Sequence, residues 1–359
     1  MALATIALSI VITLTVAFLF LEITLRRFFP QPLGISYRSE MSIPVHTPNY
    51  TLHRKEPEFE ITTTFNSLGL RDREYPIEKP AGTERILVLG DSITAALQVA
   101  DEEVYTEILE ASLNRPESAT HYEVINAGIS GFGQGDELKM FEYVGKKLKP
   151  DIVLVQMSPI NDLSENLYCR WYEIRDGKVH SLADVQPNWA VRLEEFLGRH
   201  SHFVQFLRGR LHAYFGDQGE HFQKIADHKR RYHDYLYANN GNKEDFAKDW
   251  DVTFAYLDEL EERVEEGGAK FGVVIRPLDP DVQGIREDPY PRDLIIEHCQ
   301  KHGVPWLDLT QPFRERAEGD LYRLRFRGDS HWRPEGHEWA AEEILQFLGH
   351  RFKIRPLEE

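Results

Sequence analysis

The sequence predicts a three-layer α/β/α domain on a parallel sheet of five strands in the order 2-1-3-4-5. An apolar helix precedes the domain, and a helical insertion interrupts it. Two observations carry the sheet. Five short aliphatic runs recur: RILVLG (85–90), YEVINA (122–127), DIVLVQM (151–157), KFGVVIR (270–276) and VPWLDL (304–309). None alternates cleanly between apolar and polar residues, so each reads as a strand buried on both faces. Stretches of helical period separate them, among them VYTEILEASLNR, DELKMFEYVGKKLK and, after Pro334, EGHEWAAEEILQFLGHRF. Strand, helix and strand in repetition mean parallel pairing with right-handed crossovers. A third observation marks the insertion: residues 163–269 separate the third run from the fourth, far more than an ordinary connection spans.

The chain opens with Ala2 to Leu21, which holds no charge and is followed by Glu22, Arg26 and Arg27. About 20 apolar residues suffice to cross a hydrocarbon core as a helix. No basic n-region or small-residue cleavage site is evident, so residues 1–27 are expected to be an uncleaved single-pass anchor in the lipid bilayer. The arginines that follow the span would, by the positive-inside rule alone, leave the domain in the cytoplasm. Residues 28–83, rich in proline and isolated aromatics, are expected to form an irregular linker lying against the domain. Residues 84–352 are expected to be the domain itself.

The insertion reads as helical and aromatic, in WAVRLEEFLGRHSHFVQFLRGRLHAYF and DFAKDWDVTFAYLDELEERVEE. Trp189, Leu193, Phe196 and Leu197 fall at helical spacing, as do Phe203, Phe206 and Leu207. Such stripes predict packing against the main body, and they also suit a cap over the end of the third strand. His200, His202, His212, His221, His228 and His233 lie here without metal-ligand spacing, so no metal and no cofactor is expected.

A hydrophobic content of 42% suits a globular core. The net charge of −17 excludes a general nucleic-acid binder, which needs a basic face for phosphates. Cys169 and Cys299 are too few for a disulfide scaffold, and a bridge between them is not expected.

Chemistry gathers where the runs end. Gly90-Asp91-Ser92 closes the first run, and glycine, aspartate and serine are ordinary turn and cap formers. The same three residues could also hold a nucleophile at the carboxyl edge of the sheet, where open α/β folds place their ligands. A serine nucleophile needs a base, a group to orient the base, and donors for an oxyanion. NAGISGFGQG (126–135) follows the second run and offers backbone N–H groups at its glycines. SPINDL follows the third and offers the Asn161 amide. RGDSHWRPEGHEWAA, near the C-terminus, offers Asp329 and His331 ahead of a helix that Pro334 helps to start.

In that order these four pieces resemble the SGNH (GDSL-type) hydrolase superfamily. Gly90-Asp91-Ser92 matches its first block, Asn126 to Gly131 its second, Asn161-Asp162 its third and Asp329 to His331 its fifth. The resemblance spans about residues 65–350 without the insertion, and implies the flavodoxin-like SGNH hydrolase fold. It implies Ser92 as nucleophile, His331 as base and Asp329 as the group orienting the imidazole. The Ser92 and Gly131 N–H groups with the Asn161 side chain would form the oxyanion hole. Three positions depart from the family pattern. Only Ser330 separates Asp329 from His331, with Glu335 as a substitute carboxylate. Pro159 and Ala96 stand where glycines are common.

The short Asp-Ser-His-Trp form is similar to that of SGNH-like polysaccharide O-acetyltransferases. The resemblance thus implies a serine esterase acting on O-acylated carbohydrate or lipid-like small esters. It equally allows an O-acyltransferase modifying an envelope polysaccharide, with a membrane-protein partner conceivable. A non-catalytic subunit or scaffold of a membrane complex is the third alternative. Envelope substrates would set the domain outside the cytoplasm, in the periplasm.

Overall fold

The computed structural model describes residues 2–31, 33, 37–38, 43–115, 120–182, 189–215, 220–238, 241–286 and 288–354. The chain divides into two compact units. The larger comprises Arg38–Asp184 and His228–Glu359, and the smaller Met1–Tyr37 and Val185–Asp227.

The larger unit is organised by a five-stranded sheet: β1 (Thr83–Gly90), β2 (His121–Gly128), β3 (Ile152–Met157), β4 (Lys270–Ile275) and β5 (Trp306–Asp308). The order is β2-β1-β3-β4-β5 and every pairing is parallel, as the sequence predicts. Side chains alternate between the faces of a strand. On one face Ile86, Val88, Val124, Ile152, Leu154 and Val274 pack with Tyr105 and Leu109 of helix Tyr105–Leu113 and with Trp339, Ala340 and Ile344 of helix Pro334–Phe347. Leu87, Leu89, Val153 and Val155 are buried too, by alternation on the other face, where helices Gln134–Met140 and Ala247–Glu266 lie against the sheet. Both faces are covered, so the runs lack alternation.

Three local features differ from the sequence expectation. Residues 28–83 are not irregular throughout, because Thr51–Lys55 and Glu60–Thr64 pair as an antiparallel hairpin. The insertion is not wholly helical, because Tyr172–Arg175 and Lys178–Ser181 form a second hairpin. Its turn is Asp176-Gly177, both at positive φ (53° and 72°), the backbone that a two-residue Asp-Gly hairpin requires. The insertion also divides. Tyr232, Leu236, Phe246, Trp250, Tyr256, Leu257 and Leu260 are buried within the larger unit, whereas Trp189, Leu193 and Phe196 are exposed. The expected packing is thus met by the residues from Tyr232 to Leu260, while Trp189, Leu193 and Phe196 stay open.

In the smaller unit Ala2–Phe28 is one helix, and its apolar span from Ala4 is long enough to cross a membrane, with no part of that stretch buried. The helices Trp189–His200 and His202–Phe215 belong to the same unit. The side chains of His212 and His221 lie outside the described residues. Cys169 and Cys299 are free thiols.

Candidate active site

Gly90 and Gly128 stand side by side in the sheet register, and a Cβ at either would meet Thr94. The two glycines therefore admit the short helical turn Ser92–Ala95 against the strand ends. Ser92 opens that turn, so its N–H has no intrahelical acceptor. Asp91, fully buried, fastens it: Oδ1 accepts from Ile93 N at 2.9 Å, and Oδ2 accepts from Asn161 Nδ2 at 3.1 Å. One carboxylate thus caps the serine turn and draws in the asparagine loop. An amide nitrogen carries two hydrogens, so Asn161 keeps a second N–H for another acceptor. Asn126 braces the turn from β2, donating to Thr94 O (2.7 Å) and accepting from Gly128 N (3.0 Å). Gly131 adopts φ +81°, a left-handed conformation that suits glycine.

Ala96 ends the turn at φ +52°, also left-handed, a conformation that glycine would take with less strain. The loop is held regardless by buried Arg71, whose guanidinium donates to Ala95 O (3.2 Å), Ala96 O and Val99 O (2.6 Å). Asp101 pairs with the same guanidinium at 2.9 Å.

The histidine comes from a narrow loop closed by Phe326 N to His331 O (3.2 Å) and Arg333 N to Leu324 O (2.8 Å). Asp329 Oδ1 accepts from the His331 backbone N at 2.9 Å and is hydrogen-bonded to His331 Nδ1. The shortened Asp-x-His spacing is therefore compatible with the pairing. Glu335 points elsewhere, to Arg333 (3.3 Å). Burial pushes the Asp329 carboxyl up, but the two His331 hydrogen bonds, its charge and that of Arg54 outweigh burial and hold Asp329 below the usual carboxylate range. Among the described residues no hydrogen bond joins His331 to Ser92; in unliganded enzymes such contacts are often long and tighten only on binding.

Other links tie the histidine loop to the serine side. Gln98 Nε2 lies 3.5 Å from Asp329 Oδ2. Trp332 is buried against Tyr105 (ring centroids 6.5 Å apart), whose hydroxyl is 2.8 Å from Thr94 Oγ1. Arg276, just beyond β4, reaches Ser158 Oγ (3.3 Å) in the asparagine loop and Ser330 O (3.4 Å) in the histidine loop. The 51–64 hairpin supplies a clamp. Glu58 accepts from the backbone N–H groups of Arg327 (3.0 Å) and Gly328 (2.5 Å). Arg54 stands 3.7 Å from Asp329 Oδ2, and Phe59 packs on Phe326. Sequence reasoning missed Arg54, Glu58, Arg71, Gln98 and Arg276. The one available signal was the alternation of Leu52 and Arg54, and of Ile61 and Thr63, in a polar segment.

Beneath the asparagine loop Asp162 accepts from Gln134 Nε2 (2.7 Å) and Ser158 N (2.8 Å), with Glu137 alongside. Burial first, then the neighbouring acidic charges, push both carboxyls well above their ordinary range. Among the described residues Asp258, His298 and His302 are the group whose donor atoms approach closely enough to share an ion. They lie on two helices outside the serine, asparagine and histidine loops, and His298 is already paired with Asp258 at 2.7 Å.

No family model and no curated protein matches this chain. Among solved structures it is similar to TesA, at 13% identity and TM-score 0.40, over 74% of this chain and 98% of that one. It is also similar to Axe2, an acetylxylan esterase from Geobacillus stearothermophilus, at 16% identity and TM-score 0.42, over 74% and 94%. A third is LAE5, an alpha/beta hydrolase enzyme from the metagenome of Lake Arreo, Spain, at 16% and 0.40, over 74% and 95%. Likeness this distant assigns no activity.

Proposed function

We propose that the chain is a membrane-anchored serine ester hydrolase working through an acyl-enzyme, with Ser92, His331 and Asp329 as its triad. The observation that carries this reading is the Asp329–His331 hydrogen bond at Nδ1, which leaves Nε2 as the basic nitrogen. Ser92 Oγ attacks the ester carbonyl while Nε2 takes its proton. The oxyanion is met by the Ser92 and Gly131 N–H groups and the free N–H of Asn161. Nε2 then protonates the leaving alcohol, and water, deprotonated in its turn, releases the acid. The Asp-Ser-His-Trp likeness favours O-acylated carbohydrate as substrate. The apolar helix serves as the anchor, with the domain outside the cytoplasm.

Labelling by a fluorophosphonate should map to Ser92. Against 4-nitrophenyl acetate, Ser92→Ala and His331→Ala should each lose about a thousandfold or more, and Asn161→Ala roughly a hundredfold. Unlabelled Ser92 with unchanged mutant rates would sink the hydrolase reading in favour of a scaffold. Delivery of the acyl group to a saccharide hydroxyl rather than water would convert the reading to O-acyltransferase.

A further inference from the structure

The smaller unit carries a feature that the hydrolase reading does not use. The helices Trp189–His200 and His202–Phe215 meet at an elbow at Ser201, and Glu22 holds that elbow. Its carboxylate accepts from Ser201 Oγ (2.8 Å), His202 N (3.2 Å) and Phe203 N (2.9 Å), the free N–H groups of the second helix. Arg26 donates to His200 O at 3.0 Å, and Phe203 packs on Phe18 (ring centroids 5.6 Å apart). The elbow therefore sits where the apolar span ends and its first charges begin.

From that elbow the helices present apolar surface that the described residues leave open. Trp189 is 78% exposed, and Leu193 and Phe196, on the same face at four- and seven-residue spacing, are about half exposed (47% and 52%). Leu207 and Leu211 are open on the second helix. Soluble surfaces rarely carry such runs without a partner. The second helix holds Arg208 and Arg210 and no acidic residue, in a chain of net charge −17. An apolar groove of about 830 Å³ runs between Leu21 and Leu25 of the helix Ala2–Phe28, with Phe29 just beyond it, and Phe203 and Phe206 of the helix His202–Phe215, with Arg210 also in its lining. Apolar walls with one arginine among them match an acyl chain joined to an anionic headgroup.

We infer that the helices 189–200 and 202–215 form a second membrane contact. They lie in the bilayer interface beside the anchor, with Trp189, Leu193, Phe196, Leu207 and Leu211 in the headgroup–acyl boundary and Arg208 and Arg210 at lipid phosphates. Amphipathic helices with tryptophan, phenylalanine and leucine on one face and arginine beside it bind membranes in this way. The occupant is lipid rather than a protein because the surface continues from the end of the apolar span and its charge suits anionic headgroups. This inference rests on the anchor reading.

The test uses the full chain in phosphatidylcholine vesicles with and without a quarter phosphatidylglycerol. The Trp189 signal is the emission lost in Trp189→Phe. Lipids brominated near the headgroup should quench that signal, aqueous iodide should not, and phosphatidylglycerol should increase the lipid quenching. Leu193→Lys/Phe196→Lys should reverse the pattern, with helical circular dichroism and carbonate-resistant retention unchanged. A retained protein whose Trp189 is open to iodide overturns the inference and leaves the anchor standing. Shielding from both quenchers means a protein covers the face, which also overturns it. Release by carbonate sinks the anchor reading, and the second contact then stands or falls on whether added vesicles still quench Trp189.

Discussion

The serine and histidine sides of the candidate site are made of different material. Ser92 stands at the end of β1 on a turn whose supports, Asp91, Asn126, Thr94 and Arg71, are all buried. His331 stands on a loop whose neighbours Arg327, Gly328 and Ser330 are exposed, held by the 51–64 hairpin, by Arg276 and by the buried rings of Phe326 and Trp332. Core packing thus sets the nucleophile's geometry and cannot be loosened without cost to the fold. Surface hydrogen bonds set the base's geometry and can be loosened while the protein stays folded. The comparison implies that substitutions on the two sides should separate into losses of stability and losses of rate.

Arg71→Ala should give the largest effect. The substitution strands the carbonyls of Ala95 and Val99 in a buried loop, while Ala96 O keeps the Gln98 N–H at 2.7 Å. An unmet buried polar group costs about 1–3 kcal/mol, whereas Asp101, 53% exposed, stays solvated when Arg71 is removed. Urea denaturation should therefore show roughly 3 kcal/mol or more lost. A loss under about 1 kcal/mol would mean the serine turn does not depend on its core supports, and the comparison would fail there.

On the histidine side, Glu58→Ala removes the acceptor of the Arg327 and Gly328 N–H groups, both near solvent. The melting temperature should barely move, while kcat for 4-nitrophenyl acetate falls about tenfold with KM little changed, as expected when a catalytic group is displaced by about an ångström or less. Arg54→Gln separates positioning from mere support. It removes a positive charge 3.7 Å from Asp329 that helps to hold that carboxyl below its ordinary range, so Asp329 protonates at higher pH. The acid limb of kcat/KM should shift to higher pH by a few tenths of a unit. An unmoved limb with reduced kcat would leave Arg54 a structural role alone.

The same contrast decides what could be read from the sequence. The five strands were legible because burial on both faces makes each an unbroken aliphatic run. Their parallel pairing followed from the helical stretches between the runs. Asp329 and His331 were legible as a pair because two residues apart in the chain is also within reach in space. The clamp was not legible, since Glu58 acts on backbone N–H groups about 270 positions away, which no side-chain pattern marks. Arg71 likewise meets carbonyls, and its role appears only once the left-handed bend at Ala96 is placed. The stripes at 189–197 and 245–264 have the same period, and periodicity cannot say whether protein or another phase covers a face.

The smallest expected effect concerns the cost of the serine side's burial. Glu137 is buried with Asp162 and Asp91 near it, and burial first, then those charges, hold its carboxyl well above the ordinary value of 4.5. An acid whose folded pKa is raised costs nothing below its unfolded pKa, where both states are protonated. Above that value the unfolded chain releases the proton more readily, so stability falls as pH rises toward the folded pKa. Glu137→Gln keeps the shape and removes the ionisation. The variant should melt within a degree of the parent at pH 4 and a few degrees above it at pH 8, the gap widening steadily between. Asp329, held below its ordinary range by His331 and Arg54 despite burial, should show the opposite sign in Asp329→Asn. There the parent's advantage is present above about pH 4 and vanishes as acid protonates the carboxylate. If Glu137→Gln instead destabilises at pH 8, Glu137 is ionised and paired in the fold, and the serine side is held by charge, as the histidine side is.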